Sequence, residues 1–335
     1  MIIRNNVSVK HLNSFGIDQV VERLIEIQDE SDLHYLDLNE DYLVLGGGSN
    51  ILLTKKVDKP LVLMRNLGRE ILIEKEDSVL VKIGAGEIWH EVVMWAVNEG
   101  FGGIENLALI PGRSGAAPMQ NIGAYGVEIK DVLHTVYAFD KASGTRVAFH
   151  NSECGFAYRM SNFKTIWKDR YVITQIVLSL TKPGYHVINT SYGAIKSELE
   201  KKGIDTPNIK HVADTVVDIR KAKLPDPQVI GNAGSFFKNP IIDAEQYNEL
   251  STRYPDIVAY PSGQQYKLAA GWLIDQCGWR GYASDKQTGT YKNQALVIVN
   301  YGKAKGQDIL SFSQEVQKSV KEKFGVSLEP EVNIW

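Results

Sequence analysis

The chain has 335 residues, of which 44% are hydrophobic and 23% charged, and its formal net charge is −3. This length exceeds what one ordinary hydrophobic core supports, so we expect two or three domains. The slight acidic excess and the lack of a basic stripe argue against a nucleic-acid-binding protein, and the widely separated Cys154 and Cys277 argue against a disulfide framework or a thiolate metal site.

Nothing in the sequence indicates secretion, a membrane span or a metal centre. The first residues, MIIRNNVSVKHLNSFGID, contain neither a long apolar run nor a small-residue cleavage site. No stretch reaches transmembrane length without a charge or a turn. His90 and Glu91 begin a zinc-protease-like pattern, but Met94 stands where the second histidine is needed. We therefore expect a cytoplasmic protein without a bound metal or membrane insertion, and a monomer is the default expectation.

Taken in chain order, the elements are mostly short strands at first and a mixture of helices and strands later. Alternating or continuously apolar runs predict strands, whereas apolar residues at helical spacing predict helices. The predicted strands are 41–45, 51–53, 61–64, 71–74, 79–83, 132–139, 145–149, 171–180, 295–300 and 328–334. The predicted helices are 87–99, a helix from 209 that KLPDP ends, 268–277 and 307–324. The change in character places a domain boundary near residue 205.

The first of two glycine-rich loops is Gly46-Gly-Gly-Ser-Asn50. Consecutive glycines free backbone N–H groups to point at an anion such as a pyrophosphate. The loop is not a Walker A loop, because no Gly-Lys-Ser/Thr follows. It is not a Rossmann fingerprint either, because its spacing is wrong and a strand is predicted to follow it. Taken alone, a tight hairpin would explain this loop better than a ligand.

The second loop is longer and reads IPGRSGAAPMQNIGAYG, from Ile110 to Gly126. Small residues dominate it, and Ser114, Gln120 and Asn121 interleave with them, which suits close approach to a flat ligand. A loop of this length is uncommon without a function. Two such loops in one half of the chain therefore favour a large nucleotide cofactor. Arg113, inside this loop, is interpreted as an exposed side chain.

Ser235 lies in a third small-residue stretch, GNAGSFFKNP. No Gly-x-Ser-x-Gly elbow surrounds it and no paired histidine is evident, so a nucleophilic role is disfavoured. For an isolated Ala-Gly-Ser, a plain turn would be the favoured interpretation. The residues alone leave that turn and a ligand contact open.

Eight motifs, in order along the chain, resemble those of one known family. They are NSFG, LGGGSN, IPGRSGAAPMQNIGAYG, YRMSNFK, KLPDP, GNAGSFFKNP, KLAAGWLIDQCG and LEPEV. Their sequences and order are similar to those of UDP-N-acetylenolpyruvoylglucosamine reductases, the flavoenzymes of peptidoglycan precursor synthesis in bacterial cell-wall biogenesis. The resemblance covers nearly the whole chain. The region around Tyr192 and the form of GNAGSFFKNP resemble the type I branch, which has a tyrosine loop over the substrate.

The resemblance implies an α+β protein with a two-subdomain FAD-binding fold of the vanillyl-alcohol-oxidase/PCMH type and an α+β substrate-binding domain. The FAD-binding subdomains would span 1–67, with a C-terminal strand 326–335 returning to the first of them, and 68–205. The substrate-binding domain would span 206–325. The residues implied to hold FAD are Gly46, Gly47, Gly48, Ser49, Asn50, Pro111, Gly112, Ser114, Gly115, Ala116, Gln120, Gly123 and Gly126.

The same resemblance implies three catalytic residues. Arg159 would grip the carboxylate of an enolpyruvyl group, since a guanidinium fork can bind two oxygens. Glu331 would stabilise the developing charge, which a glutamate can do only if it is protonated or shares a proton. Ser235 would donate a proton to the carbanionic carbon. Without the resemblance, a surface ion pair for the arginine and a solvent-facing carboxylate for the glutamate would be favoured. Glu329 is a neighbouring carboxylate to which no role is given.

Residues that bind the UDP-sugar in the family match Tyr192, Lys223, Asn239, Tyr260, Lys267 and Gln294. Lysines suit a diphosphate, and tyrosines suit a base or the cover of a pocket. Asn333 departs from the family, where an arginine is common at this position, and the segment 282–292 has fewer glycines than expected. These departures concern closure of the substrate pocket rather than the reaction.

The implied function is the NADPH-dependent, FAD-mediated reduction of UDP-N-acetylglucosamine enolpyruvate to UDP-N-acetylmuramate. Two alternatives stay open. One is an oxidase of a small alcohol or sugar on the same fold, which would consume oxygen. The other is a nucleotide-sugar binding or regulatory protein without flavin chemistry. The presence of Arg159, Ser235 and Glu331 argues against both.

Overall fold

The structure is a computed structural model that describes residues 1–335. These residues form two compact units, each assembled from separated segments of the chain. The first unit contains Met1–Val7, Val21–Gly47 and Asp58–Arg220, and the second contains Ser8–Val20, Gly48–Val57 and Lys221–Trp335. The division of the chain at residues 67, 205 and 325 stays a prediction.

Nineteen strands and six α-helices make up the regular structure. The strands are β1 Ile2–Ser8, β2 Val20–Ile27, β3 Leu43–Leu45, β4 Ile51–Leu52, β5 Leu61–Met64, β6 Arg69–Glu74, β7 Ser78–Gly84, β8 Gly123–Ala124, β9 Val127–Glu128, β10 Leu133–Asp140, β11 Thr145–His150, β12 Tyr171–Thr181, β13 Gly231–Ser235, β14 Ile241–Ile242, β15 Ala259–Ser262, β16 Gln265–Leu268, β17 Thr288–Tyr291, β18 Gln294–Asn300 and β19 Asn333–Ile334. The helices are α1 Trp89–Asn98, α2 Gly193–Lys201, α3 Ile209–Lys223, α4 Ala244–Arg253, α5 Ala270–Gln276 and α6 Gly306–Phe324. No helix is both long enough and apolar enough to cross a bilayer.

A four-stranded sheet in the first unit, in the order β1-β2-β5-β3, leads into the first glycine loop. β5 pairs in parallel with both β2 and β3, and all four of its residues are buried. A continuous apolar run of this kind is typical of a parallel strand covered on both faces. Because β3 ends at Leu45, the chain passes directly from the carboxyl end of a parallel strand to Gly46.

The second sheet of the first unit is antiparallel, in the order β11-β10-β12-β7-β6. Its central strand β12 pairs with both β10 and β7. Helix α1 buries Trp89, Val92, Val93 and Ala96, whose spacing gives one apolar face. These residues join the large core cluster that also contains residues of β7, β12 and α3. Gly100, at φ +78°, takes the chain out of the helix in a conformation that glycine adopts without strain.

The second unit contains the three-stranded sheets β13-β18-β17 and β14-β16-β15. Helices α5 and α6 pack against each other and against β18. The short strand β19 pairs in parallel with β4, which joins the last residues of the chain to residues that follow the first glycine loop. Gly325, at φ +69°, ends α6.

The predicted α+β class is confirmed, and most predicted elements are present with shifted ends. The strand 61–64 is confirmed with its predicted limits. The predicted last strand 328–334 is wrong in extent, since only Asn333–Ile334 is a regular strand and Pro330, which has no N–H, lies in the part before it. Elements absent from the prediction are β1, β2, β8, β9, β13, β14, β15, β16, β17, α2 and α4.

Candidate active site

The first glycine loop makes two close backbone contacts that a side chain would prevent. A Cβ atom on Gly47 would lie 2.7 Å from the Cα of Gly112, so this glycine touches the second loop. A Cβ atom on Gly48, which has φ +62°, would lie 1.8 Å from the carbonyl oxygen of Leu12. The loop then enters β4, which confirms that a strand rather than a helix follows it. Glycine is therefore required at both positions by the fold itself.

The second loop is built from two short 3-10 turns, Ser114–Ala116 and Pro118–Gln120. Asn121, which follows them, is buried with φ +46°. Its side-chain amide donates to the Glu128 carboxylate over 2.8 Å and to the Ala157 carbonyl over 3.1 Å. A non-glycine residue in the left-handed region costs free energy and persists only where the surroundings hold it. The loop is thus held in one conformation by its own polar side chains.

Ser114 lies at the centre of this loop and is fully buried, and its hydroxyl has no hydrogen-bond partner in the protein. Such an atom needs an explanation, because an unsatisfied buried hydroxyl is costly. The chain also packs tightly here, since a Cβ on Gly115 would lie 2.5 Å from the Cβ of Ala85. The unpaired Ser114 hydroxyl lies beside glycine backbone, which lets a flat ligand approach closely, and it suits a hydrogen bond to a polar group of a dinucleotide. The residues present therefore suit FAD.

Arg113 is half-buried rather than exposed, which corrects the prediction. Its guanidinium donates to the carbonyl of Gly86, and it lines an open cavity of about 540 Å³ together with other charged side chains of the first unit. Burial, followed by the nearby charge of Arg65, lowers the pKa of Arg113. The side chain therefore fixes the loop to the start of α1 instead of projecting into solvent.

Arg159 sits in a tight turn and adopts φ +54°. Its Nη2 donates to the Gly123 carbonyl over 2.8 Å, and a Cβ on Gly123 would approach the Nη1 of Arg159 to 3.2 Å. The guanidinium also lies 5.3 Å from the ring centre of Tyr158. The structure therefore brings the predicted carboxylate ligand against a predicted flavin-loop residue, and the missing side chain of Gly123 makes room for it.

Ser235 ends β13 and pairs with Val297 of β18, and the next backbone N–H, that of Phe236, donates to the Leu296 carbonyl over 2.9 Å. The serine side chain is half-buried. No histidine side chain hydrogen-bonds to it, which agrees with the sequence-based view that it is not a paired nucleophile. The preceding Gly234, at φ +69°, bends the strand and leaves the serine next to that bend.

Glu331 lies on the backbone segment beside Ser235. Its N–H donates to the Phe236 carbonyl over 2.8 Å, and Phe237 and Pro330 form an antiparallel bridge. The structure therefore brings two of the three predicted catalytic residues together within the second unit. Glu329, by contrast, has a side chain that is 74% exposed and pairs with Lys238 over 3.2 Å.

The segment that carries Glu331 is also tied to the first glycine loop. The side-chain amide of Asn50 donates to the Glu331 carbonyl over 3.2 Å. Both the backbone N–H and the side-chain amide of Asn333 donate to the Asn50 carbonyl, each over 3.0 Å. Asn333, the residue that departs from the family pattern, thus has a clear structural role at this position.

The predicted UDP-sugar residues fall into small groups. Tyr260 and Lys267 are direct cross-strand partners in β15 and β16. Asn239 accepts the Ala270 N–H at the start of α5 over 3.0 Å. Lys223 is exposed at the end of α3. The side chain of Gln294 accepts the Leu296 N–H over 3.4 Å. Tyr192 is 43% exposed and packs beside Tyr125.

Two residues of this region were missed by the sequence analysis as site residues, Arg220 and Tyr125. The Nε of Arg220 donates to the Leu109 carbonyl over 3.3 Å, and the ring of Tyr125 packs edge-on against that of Tyr192 with 5.2 Å between the ring centres. Arg220 follows Val216 by four residues, so the helical pattern places a charge on the apolar face of α3. A charged residue on an otherwise apolar helix face was the sequence feature that could have identified Arg220.

His90, set aside as the start of a metal motif, accepts the Leu109 N–H at Nδ1 over 3.0 Å. No group of three or more His, Cys, Asp or Glu side chains could hold a metal ion.

Comparison with known proteins gives two family models and several relatives. Residues 35–150 match the FAD binding domain, and residues 226–335 match the C-terminal domain of UDP-N-acetylenolpyruvoylglucosamine reductase. The chain is 45% identical to the UDP-N-acetylenolpyruvoylglucosamine reductase of Flavobacterium johnsoniae, with 100% of both chains covered. It is 44% identical to that of Pseudomonas aeruginosa, with 99% of both covered.

A crystal structure of the corresponding reductase from Thermus caldophilus superposes with a TM-score of 0.70 at 24% identity, and 100% of both chains are covered. That similarity supports the fold. Because the curated relatives match over essentially the full chain at 45% and 44% identity, the chain belongs to the family of UDP-N-acetylenolpyruvoylglucosamine reductases and is an FAD-dependent oxidoreductase.

Proposed function

We propose that this protein reduces the enolpyruvyl ether of UDP-N-acetylglucosamine to UDP-N-acetylmuramate, with NADPH as the electron donor. The observation that carries the proposal is the backbone pairing of Phe236 with Glu331, which puts a serine hydroxyl and a carboxylate on adjacent segments. The family motifs give these residues their roles, and the names of the relatives support the substrate.

Ser235 is the proposed proton donor. Addition of hydride to the terminal alkene carbon develops negative charge on the neighbouring carbon, which then needs a proton. A hydroxyl is a weak acid, but a developing carbanion is a strong base, so the transfer runs downhill. Ser235 has no hydrogen-bond partner in the protein that would compete for its proton, and its side chain is partly accessible.

Arg159 and Glu331 are the proposed stabilisers of that charge, which delocalises into the substrate carboxylate. Arg159 is already fixed by its bond to the Gly123 carbonyl. Preorganised donors of this kind lower a barrier most effectively, because they need no reorganisation as the charge develops. Glu331, in its protonated or proton-sharing form, would donate a hydrogen bond to the same group. Its backbone is held at both N–H and C=O.

Bound FAD would supply the two-electron chemistry, passing hydride from NADPH to the alkene. The loop residues named above would hold it, with Gly46–Asn50 at the pyrophosphate and Ser114 offering its unpaired hydroxyl. Tyr260 and Lys267 would take the UDP part together with Tyr192, Lys223, Asn239 and Gln294, since ammonium groups suit a diphosphate. We also propose a cytoplasmic location, a monomer, and the division into two FAD-binding subdomains and a substrate-binding domain.

The test is the visible absorption of the purified protein, recorded without oxygen. The spectrum of bound flavin should bleach with NADPH and return when UDP-N-acetylglucosamine enolpyruvate is added. Return only on admission of oxygen would favour the oxidase alternative. Absence of flavin after FAD is supplied would favour the binding-protein alternative and overturn the proposal.

A further inference from the structure

Asn106 lies in the buried 3-10 turn Glu105–Leu107 and joins two segments that are far apart in the chain. It is 1% exposed. Its side-chain amide donates to the Tyr125 carbonyl over 3.1 Å and to the Asn189 carbonyl over 3.0 Å. Two carbonyl acceptors at these distances fix the orientation of the amide, since a flipped side chain would place oxygen against oxygen. One buried side chain therefore links the second glycine loop to segment 185–192.

The part of the glycine loop that Asn106 contacts is a tight hairpin turn. β8 and β9 are joined by Tyr125 and Gly126 alone, and φ is +50° and +83° at these two residues. Positive φ at both central residues is typical of a type I′ turn. Asn106 donates to the first turn carbonyl, and the Asn189 side chain donates to the second, that of Gly126, over 3.3 Å. Both carbonyls of the turn are thus bonded to asparagine amides that hold segment 185–192.

Segment 185–192 ends at Tyr192, a proposed ligand of the UDP-sugar, and forms neither helix nor strand. The Asn189 side chain accepts the Ser191 N–H over 3.2 Å and the Ser191 hydroxyl over 2.8 Å, which extends the connection toward Tyr192. The Tyr192 ring packs edge-on against that of Tyr125, with 5.2 Å between the ring centres. The position of Tyr192 is therefore set by docking of the segment on the β8–β9 turn.

We expect this docking to be a reversible equilibrium. Tyr192 is 43% exposed and Val187 is 86% exposed, so burial of apolar surface contributes little at these positions. Segments held by a few polar contacts open locally at low cost, and ligand-binding segments are commonly of this kind. A ligand that binds only the docked form has an apparent affinity reduced in proportion to the fraction of docked molecules. Loss of the Asn106 hydrogen bonds would therefore weaken such a ligand without any direct contact.

The two N–H donors are what the Asn106 side chain contributes here. Its Oδ1 atom is buried and has no hydrogen-bond partner in the protein. An unsatisfied buried acceptor costs free energy, so the benefit of an amide at this position comes from its donors. A leucine would keep the branched shape and remove both donors, which makes Asn106→Leu a selective substitution.

We propose that Asn106 is a positioning residue for the nucleotide sugar. It docks segment 185–192 on the β8–β9 turn and so places Tyr192 against bound UDP-sugar, and the docked segment is the form that binds. The inference rests on the proposed function and deepens it, because it adds to the substrate-binding residues a buried one that acts through Tyr192.

The test is a double-mutant cycle on the binding of UDP-N-acetylmuramate to the oxidised, FAD-loaded protein, measured by calorimetry. Asn106→Leu should weaken binding by about tenfold, as expected for the loss of two buried hydrogen bonds. Tyr192→Ala should weaken binding at least as much. Because Asn106 acts through Tyr192, the double variant should bind no more weakly than Tyr192→Ala alone.

Asn151→Leu is the matched control. The Asn151 amide also donates to two carbonyls of the same unit, those of Lys130 over 2.6 Å and Leu133 over 2.7 Å. Neither residue lies in segment 185–192 or in the β8–β9 turn. Loss of this pair should lower the melting temperature as Asn106→Leu does, but it should leave the dissociation constant of UDP-N-acetylmuramate within about twofold of the wild-type value.

Amide hydrogen exchange of segment 185–192, read by mass spectrometry, tests the docking directly. Exchange should be faster in Asn106→Leu than in the wild type and unchanged in Asn151→Leu, and UDP-N-acetylmuramate should slow it in the wild type. If Asn106→Leu does not retain FAD, Asn189→Ala replaces it in the cycle and should show the same non-additivity with a smaller factor.

Additive losses in the cycle would mean that Asn106 only supports the fold. An unchanged dissociation constant, tighter binding by Asn106→Leu, or unchanged exchange of segment 185–192 would mean that docking does not govern binding. Each of these results overturns the inference and leaves the proposed function intact. If the wild-type protein does not bind UDP-N-acetylmuramate at all, the proposed function itself fails and the inference fails with it.

Discussion

Removal of the Ser235 hydroxyl should slow the reaction and leave the stability of the fold almost unchanged. The side chain is half-buried and has no hydrogen-bond partner, while the neighbouring Phe236 N–H keeps its bond to Leu296 whatever side chain stands at 235. Ser235→Ala should therefore change the free energy of unfolding by less than about 0.5 kcal/mol. Loss of a general acid typically costs about 10²–10⁴-fold in rate. At about 1.36 kcal/mol per factor of ten, that is about 3–5 kcal/mol in the barrier.

The assay is stopped-flow absorption of the two half-reactions. Bleaching of the flavin by NADPH should keep its wild-type rate, and reoxidation by the enolpyruvyl substrate should slow by the factor above. Ser327→Ala, an exposed serine of the same unit, is the control and should alter neither rate. Equal slowing of both half-reactions in Ser235→Ala would refute a proton-donor role.

Three further outcomes are expected. Gly48→Ala should lower the melting temperature and flavin content far more than Gly203→Ala, because its Cβ would lie 1.8 Å from a carbonyl oxygen, whereas nothing lies within 4 Å at Gly203; both have positive φ. Equal effects would contradict the steric reasoning. Asn333→Ala should cost about 0.5–1.5 kcal/mol in denaturant unfolding, since only its side-chain bond is lost; an unchanged midpoint would count against that bond. Burial raises the pKa of the Cys154 thiol to about 12, so at pH 8 it stays protonated. A thiol reagent should then label only the part-buried Cys277 until the protein unfolds, and rapid labelling of both would contradict the burial.

The elements that sequence reasoning found are those whose own residues encode burial. Leu61–Met64 is apolar throughout because both faces of this strand are buried, and α1 shows a regular apolar face. Strand β2, in contrast, carries charged residues among its apolar ones, and β1 is exposed along nearly its whole length. Helix α4 buries only Leu250. Such segments owe their structure to pairing partners and capping, which no local pattern reveals.

The candidate site divides in the same way. Both loops could be found from their glycine content, because their backbone lies so close to neighbouring backbone that side chains would not fit. The contact of Phe236 with Glu331 depends on tertiary pairing between segments far apart in the chain, so the sequence could supply only the residues and not their adjacency. Arg220 was missed because a charge on an apolar helix face was outweighed by the surrounding basic residues.

The pairing of β4 with β19 has a consequence for biosynthesis. Residues 51–52 leave the ribosome long before residues 333–334, yet each strand is the other's only partner. The backbone N–H and the hydroxyl of Thr54 both donate to the Trp335 carbonyl over 2.7 Å, which extends the same closure. During synthesis β4 therefore stays without its strand partner until β19 has been translated. The second unit can therefore be completed only once residues 333–334 have been translated.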